Sequence, residues 1–381
     1  MQLYDDVMVL HCLEPHPALK TASDVPGTSQ VPGTWRLLAP RATRATALKT
    51  TWQLEQETDP ALTEGVPTYR VQYRRSPIPK TSYLLYLWGV FQAYRRIVAD
   101  GFRPDLIHAH VFDAGVPAIL IGRLYGTPVV ITEHDSDFPR GLLAPAAVLR
   151  ARLAFRWAAA VLPVSLALQR GIERYGIRAR FSVIPNVVDT RLFTPSGVFR
   201  PTPGPIRILF VGALIPVKGL PFLLRALAQW PQPRAGWHLD IVGDGPHRTE
   251  YERLAADLGL TAQVTFHGFR PKAEVADFMR RADLFVLPSL WENFPCVLLE
   301  ALASGLPIVS TYTGGIPEIV DDAVGQLVPP GNSESLAQAL ASMLASLDRF
   351  DRHALAQRAG RYSPTEVGRA LHAIYQDCLR S

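Results

Sequence analysis

The sequence predicts an α/β protein of two doubly wound, Rossmann-like domains that face an interdomain cleft. Three observations carry that prediction. From about residue 100 onward, apolar strand-like runs alternate with helical patterns. A proline-rich break interrupts the alternation once, and the pattern then restarts. The length of 381 residues suits two domains at roughly 100–200 residues each. Alternation of this kind indicates parallel sheets covered on both faces.

In the first half, DLIHAH (105–110) reads as a strand, and AGVPAILIGRLYG as a helix closed by Gly126. PVVIT (128–132) is a strand and LLAPAAVLRARLAFRWA a helix. AVLPVS (160–165) is a strand, LALQRGIERYG a helix and FSVIPN (181–186) a strand. The break, TPSGVFRPTPGPI (194–206), holds four prolines and reads as a linker. Then IRILFVG, WHLDIVG, QVTFHG, ADLFVLPS and LPIVST give five strands separated by helices. PTEVGRALHAIYQDCL (364–379) is an amphipathic final helix. The expected division is 1–195 as a first domain, 196–206 as linker, 207–362 as a second domain and 363–381 as the last helix. Residues 1–60 fit this scheme poorly. VMVLH (7–11) and WRLLAP (35–40) read as strands, but a crossover helix has no candidate in the Pro- and Gly-containing stretch between them.

Composition narrows the function classes. Hydrophobic residues make up 48% and charged residues 19%, which excludes wholesale disorder. The three cysteines, Cys12, Cys296 and Cys378, are too dispersed for a disulfide scaffold or a zinc knuckle, which favours a reducing compartment. The start of the chain shows no signal-peptide pattern, and Arg156 interrupts the best candidate for an apolar span. The expected location is therefore cytoplasmic. Residues 1–200 carry 23 Lys+Arg and 16 Asp+Glu, against 16 and 18 in residues 201–381. The basic first half, densest at Arg70, Arg74, Arg75, Lys80, Arg95, Arg96 and Arg103, can attract phosphates or an anionic membrane at its inner face. The commoner reading of such a run is a solvated surface. No nucleic-acid module accompanies the charge.

The strongest constellation is PSLWENFPCVLLEALASGLPIVST (288–311). Pro295 suits a first helical position, Gly305 the position past the end, and Pro307 blocks continuation. The free N–H groups at the start of that helix suit a diphosphate. Glu292 lies before the helix and Glu300 within it. Eight residues at helical rise separate them by roughly 12 Å, too far for a pair of glycosidase carboxylates. Two separate roles on hydroxyl groups fit better. Each acid taken alone reads better as a helix-dipole residue (Glu292) or an exposed helix residue (Glu300).

Three weaker signals accompany it. FVGALIPVKGL (210–220) places Lys218 at a strand-to-helix turn after Gly212, in a chain with only five lysines. A lysine there can meet a phosphate as a point charge, although the P-loop spacing is absent. TEHDSDF (132–138) puts His134 at a strand end, where ligand-facing residues belong; a lone histidine is more often structural. Its Asp135 and Asp137 have the form of an Asp-x-Asp metal pair but supply few ligands. In GDGPHR (243–248), Arg248 stands where a dinucleotide loop needs its third glycine.

Taken together, these residues resemble glycosyltransferase family 4 and its GT-B arrangement of two Rossmann-like domains, which implies that residues 1–195 form the acceptor side, that 207–362 bind the nucleotide sugar and that the last helix crosses back to the first domain. The carriers are the Glu-x7-Glu pair Glu292–Glu300 in its context, GGIPEIV (314–320), VGALIPVKG, IVGDGP, VTFHGF, PDLIHAH and VIPNVVDT. They occur in the family's order from about residue 100 to the end. The resemblance implies a retaining, metal-independent transfer of a sugar from a nucleotide-sugar donor, with no further cofactor. It places Glu292, Lys218 and His134 at the reacting centre: Glu292 beside the donor sugar, Lys218 on the phosphates, His134 near the sugar hydroxyls. It places Glu300 on the donor ribose and backbone of Phe294, Pro295, Cys296 and Val297 on sugar and phosphate. Gly212 belongs to the donor loop, and Gly268, Phe269 and Arg270 fall where the base is held. The acceptor implied is a glycan, a lipid-linked sugar or a small molecule, in polysaccharide or glycolipid assembly. Three departures stand out. Ala213 replaces the family's usual arginine, with Arg270 as a substitute charge; Pro295 removes one backbone donor; and residues 12–34 lack the family's first glycine-rich loop. These departures motivate the alternative of a catalytically impaired nucleotide-sugar-binding protein of the same fold.

Overall fold

The computed structural model describes residues 7–11, 34–38, 52–57, 68–73, 81–196, 204–229 and 236–380. The expectations for residues 12–34 and for most of the 196–206 linker fall outside them. The chain forms two compact units. The N-terminal unit comprises residues 2–164, 168–184 and 369–381; the C-terminal unit comprises 165–167 and 185–368.

The N-terminal unit holds a seven-stranded sheet. Its strands are β1 (Val7–His11), β2 (Thr34–Leu38), β3 (Trp52–Glu57), β4 (Thr68–Tyr73), β5 (Leu106–His110), β6 (Val129–Glu133) and β7 (Ala160–Pro163). The order is β3-β4-β2-β1-β5-β6-β7. From β5 onward the sheet is parallel, as the alternating pattern demands. Before β5 it is not: β1 runs antiparallel to both β2 and β5. The expectation of a doubly wound start is corrected there. Antiparallel neighbours need no helical crossover, which accounts for the missing helix pattern between residues 11 and 34. The expected strand at 181–186 is reduced to a single bridge from Phe181 to Val161. Its neighbours nonetheless follow β7, with Ser182 N–H donating to Val161 O and Ile184 N–H to Pro163 O.

Helices α1 (Thr81–Ala99), α2 (Phe112–Tyr125), α3 (Pro145–Trp157) and α4 (Leu166–Arg174) accompany this sheet. Gly126 closes α2 in the left-handed conformation, with φ 72°, as the sequence predicts. The last helix, α11 (Pro364–Arg380), belongs to the N-terminal unit from residue 369. Tyr375 and Cys378 are buried against Leu106, Val130, Ala160 and Leu162 of β5–β7. The Tyr375 hydroxyl lies 2.5 Å from His108 Nδ1, whose Nε2 lies 2.7 Å from Thr132 Oγ1. The helix is thus anchored by apolar burial and one buried polar chain.

The C-terminal unit holds six parallel strands. They are β8 (Ile206–Val211), β9 (Trp237–Val242), β10 (Val264–Gly268), β11 (Leu284–Leu287), β12 (Ile308–Thr311) and β13 (Gly325–Val328). Their order, β10-β9-β8-β11-β12-β13, is the dinucleotide-fold order, with its reversal between β8 and β11. Helices α5 (Leu220–Ala228), α6 (Arg248–Asp257), α7 (Lys272–Arg281), α8 (Cys296–Ala303), α9 (Ser333–Ala345) and α10 (Arg352–Ala359) alternate with the strands or follow them. In α8, Leu298, Leu299 and Leu302 are fully buried, worth about 1.5–3 kcal/mol each. That packing fixes where the helix points its N-terminus.

Candidate functional site

Ligands of open α/β sheets bind beyond the carboxyl ends of the strands where the strand order reverses. In the C-terminal unit that point is occupied by the loops after β8 and β11. Backbone contacts stitch them together. Leu290 N–H donates to Val217 O at 2.8 Å, Gly212 N–H to Val242 O at 3.0 Å and Gly243 N–H to Gly268 O at 2.9 Å. Gly243 has φ 135°, and a Cβ there would run into Gly212 O. Only glycine lets the ends of β8 and β9 approach so closely.

The β11 loop, 288–295, is clamped from the other side. Thr311 Oγ1 donates to Ser289 O at 2.5 Å and Thr313 Oγ1 to Leu290 O at 3.3 Å. Gly314 has φ 52°, and a Cβ there would occupy the position of Glu292 O. The result is one defined cluster. Lys218 Nζ donates to Glu292 Oε1 at 2.6 Å, and Ser289 Oγ donates to the same oxygen at 2.8 Å. The Lys218 and Glu292 side chains are 23% and 11% exposed, so bulk water screens the pair only in part.

Helix α8 begins beside this pair. The expected first helical residue, Pro295, is instead its N-cap, with φ −71° and ψ 116°, a one-residue shift. Leu298 N–H donates to Pro295 O, so the N–H groups of Cys296 and Val297 open the helix without a partner inside it. The N-cap position of the loop is fixed by Asn186, whose Nδ2 donates to Phe294 O at 2.7 Å; the Phe294 ring is buried against Tyr362. Burial pushes the Glu300 carboxyl up, with Lys272 pulling it down. The Cys296 side chain is exposed, although crowding by neighbouring atoms and then the nearby Glu300 carboxylate push its thiol up. Gly268 ends β10 near Arg248 and Asp244. Phe269 is 78% exposed. Arg270 is exposed, lies just before α7 and pairs with Glu274 in that helix's first turn at 3.6 Å, so the charge expected to replace the one missing at Ala213 is engaged there.

The N-terminal unit carries the remaining expected residue. His134 follows β6, its ring 6.0 Å from that of His110, and burial pushes its imidazole pKa down, favouring the neutral form. Beside it, Glu133 is fully buried and accepts three backbone N–H groups: Phe112 at 2.9 Å on Oε2, His134 at 2.9 Å and Asp135 at 2.8 Å on Oε1. Burial pushes this carboxyl up to about 8 against the pull of those donors. Val111, between β5 and α2, has φ 60°, a strained conformation for a β-branched residue. It is held by Val111 N–H donating to Thr132 O and by the Glu133 bond to Phe112. Asp135 Oδ1 accepts from Asp137 N–H at 2.8 Å, and Asp137 lies 3.7 Å from Arg140. The Asp-Ser-Asp sequence is thus a helical turn that caps itself.

The sequence of the first half, residues 51–192, matches the model described as Glycosyltransferase Family 4, and residues 198–362 match that of Glycosyl transferases group 1. The D-inositol 3-phosphate glycosyltransferase of Acidothermus cellulolyticus is 30% identical over 344 residues, covering 80% of this chain and 74% of that protein. The chain belongs to the family 4, group 1 glycosyltransferases. An Escherichia coli (strain K12) protein named for a glycosyltransferase role in colanic acid biosynthesis is 32% identical over 272 residues, covering 69% of this chain and 66% of its own length. For a glycogen synthase of Mycobacterium tuberculosis (strain H37Rv) the covered share of that protein is 63%. The chain thus spans just under two thirds of the length of the first curated relatives it matches. Among solved structures, Anabaena HepE in complex with UDP superposes with a TM-score of 0.69 at 25% identity, covering 83% of this chain and 88% of that one. This supports the two-domain GT-B fold class.

Within this family 4 glycosyltransferase, the C-terminal unit brings Lys218 and Glu292 into direct contact, with Gly212 beside the Lys218 stem and α8 starting four residues after Glu292. Several residues of the site went unassigned in the sequence. Ser289, three positions before Glu292, reads as an ordinary loop serine. Asn186 lies inside VIPNVVDT and Gly314 inside GGIPEIV, both recognisable segments whose partners are remote in sequence. Glu133 sits next to His134 at a strand end, where a carboxylate reads as ligand-facing and nothing in the sequence shows that it turns inward onto backbone N–H groups.

Proposed function

We propose that this chain transfers a sugar from a nucleotide-sugar donor to a glycan, lipid-linked or small-molecule acceptor, with retention at the anomeric carbon and without a metal ion or other cofactor. The observation that carries the reading is the Lys218–Glu292–Ser289 cluster at the strand-order reversal of the C-terminal unit. Family membership supports the reaction class. The HepE structures with UDP and with UDP-glucose support a uridine nucleotide as the first donor to test.

The chemistry follows from charge. Breaking the anomeric C–O bond leaves its electron pair on the diphosphate. Lys218 and the N–H groups of Cys296 and Val297 oppose that growing charge from fixed positions, which avoids reorganisation during the step. Glu292, already oriented by Lys218 and Ser289, is assigned to a hydroxyl of the donor sugar. Glu300 is assigned to the ribose, His134 to the sugar hydroxyls and the backbone of Gly268, Phe269 and Arg270 to the base. The acceptor oxygen forms the new bond on the face the diphosphate leaves, and the diphosphate takes the acceptor's proton. No protein side chain is needed as base.

The test is a thermal-shift panel of UDP-, GDP- and ADP-glucose with EDTA present, since a ligand that binds only the folded chain raises its melting temperature. One nucleotide class is expected to stabilise, with the shift lost in Glu300→Ala. Chelator-sensitive stabilisation, or a product of inverted configuration by NMR, would refute the proposal.

A further inference from the structure

Helices α1, α2 and α3 of the N-terminal unit expose an apolar and basic outer surface that the donor site does not use. Leu84 and Trp88 on α1 are 63% and 51% exposed; Leu120 and Leu124 on α2 are 52% and 64% exposed. On α3, Leu149, Leu153 and Trp157 are exposed as well. The spacings i, i+4 and i+8 set each group on one outward stripe. The inward stripes are filled in the ordinary way, by Val90, Ala93 and Ile97 on α1 and by Ala151, Ala154 and Phe155 on α3. The three stripes form one surface. A groove of about 250 Å³ joins α1 to α2, lined by Leu84, Trp88, Phe91 and Leu120 among others. The Arg123 guanidinium of α2 lies 3.9 Å over the Trp157 ring of α3.

Charge sorts the occupants of such a surface. The three helices carry six arginines (Arg95, Arg96, Arg123, Arg150, Arg152 and Arg156) against one acid, Asp113. That acid is held by Arg150 at 2.6 Å. Arginine beside exposed leucine and tryptophan is the composition of a helix face that lies in a bilayer interface. Exposed leucine and tryptophan grouped in this way mark an interaction surface. Among the described residues no helix is long and apolar enough to cross a membrane, so the contact is lateral.

We propose that the outer face of α1–α3 docks on an anionic lipid surface, with Leu84, Trp88, Leu120 and Leu124 entering the headgroup–acyl boundary and Arg95, Arg123 and Arg156 meeting lipid phosphates. Each arginine near an anionic leaflet strengthens binding by about fivefold, and salt weakens that part within a Debye length.

The experiment is flotation of the full chain with phosphatidylcholine vesicles, with or without 30 mol% (about one third) phosphatidylglycerol. The wild type is expected to float with the anionic vesicles at low salt, and far less with pure phosphatidylcholine or at high salt. Arg95→Glu/Arg123→Glu/Arg156→Glu is expected to weaken partitioning by about a hundredfold or more. Trp88→Ser/Leu124→Ser is expected to weaken it at unchanged net charge and melting temperature. Equal partitioning of wild type and both variants overturns the proposal, as does failure of the wild type to float. So does a dimer in sedimentation that Trp88→Ser/Leu124→Ser dissociates without any vesicle binding, because the face would then belong to a second copy of the chain.

Discussion

Replacing Lys218 with Met tests the cluster at its most exposed point. The methionine keeps an unbranched apolar stem and removes the charge together with the hydrogen-bond donor to Glu292. Glu292 is then left with the Ser289 hydroxyl at 2.8 Å in a site where its side chain is 11% exposed. Two unit charges about 4 Å apart attract by about 4 kcal/mol at an effective dielectric of 20. Desolvation of both groups offsets much of that. The coupling expected between Lys218→Met and Glu292→Gln in a double-mutant cycle of stability is therefore about 1–3 kcal/mol. Turnover is a separate quantity. If Lys218 opposes charge on the leaving diphosphate, its loss costs about 2.7–4 kcal/mol in the transition state, a fall of about 10²–10³-fold in rate. Slow hydrolysis of UDP-glucose reads that rate before the acceptor is identified. Stability losses that add to within about 0.5 kcal/mol, together with unchanged hydrolysis, would refute both the pairing and the role assigned to it.

The strands β5 to β12, the helices between them and the amphipathic pattern of α11 were legible because each is written in local periodicity, whereas the crossing of α11 was expected only from the family resemblance and β13 was not read at all. A buried parallel strand is a short apolar run, and its helix is a 3.6-residue pattern closed by glycine or proline. The start of the chain was illegible for a related reason. β1 to β4 pair partly antiparallel, and nothing in VMVLH says which neighbour it will take. The site divides in the same way. Lys218 and Glu292 stand out by residue type at strand ends, yet their contact spans 74 positions and is decided by the reversal of strand order. Asn186 acts on Phe294 across 108 positions, which no spacing rule reaches. Gly314 was visible as a glycine, but its reason is the closeness of the Glu292 carbonyl, a property of packing. Glu133 shows the limit most clearly. A carboxylate at a strand end reads as a ligand-facing group, and it is instead turned inward onto three backbone N–H groups.

The remaining predictions address these buried supports. Gly314→Ala forces the 313–315 segment away from Glu292 O; donor affinity is expected to fall at least tenfold by titration calorimetry, and unchanged affinity would show that the clamp does not position Glu292. Asn186→Ala leaves the Phe294 carbonyl without its donor, at a cost of about 1–3 kcal/mol in urea unfolding and a weaker KM for donor; a variant as stable as wild type would refute the bond's contribution. Glu133 makes a pH prediction whose sign is opposite to that of a salt-bridged acid. Its folded pKa of about 8 lies above the unfolded value near 4.5. Between those values the native chain holds a proton that the unfolded chain releases, so stability is full below about pH 4.5 and is lost as pH rises through 8. A shift of that size is worth up to about 5 kcal/mol. Melting temperatures of wild type and Glu133→Gln are expected to converge as pH rises from 5 to 9, because only the wild type has this proton to lose. The glutamine places an amide where one N–H donor needs an acceptor, so the variant starts lower. Parallel pH profiles for the two proteins would mean that the three N–H donors hold Glu133 ionised throughout, and that the loop of Val111 and His134 is organised by a permanent negative charge.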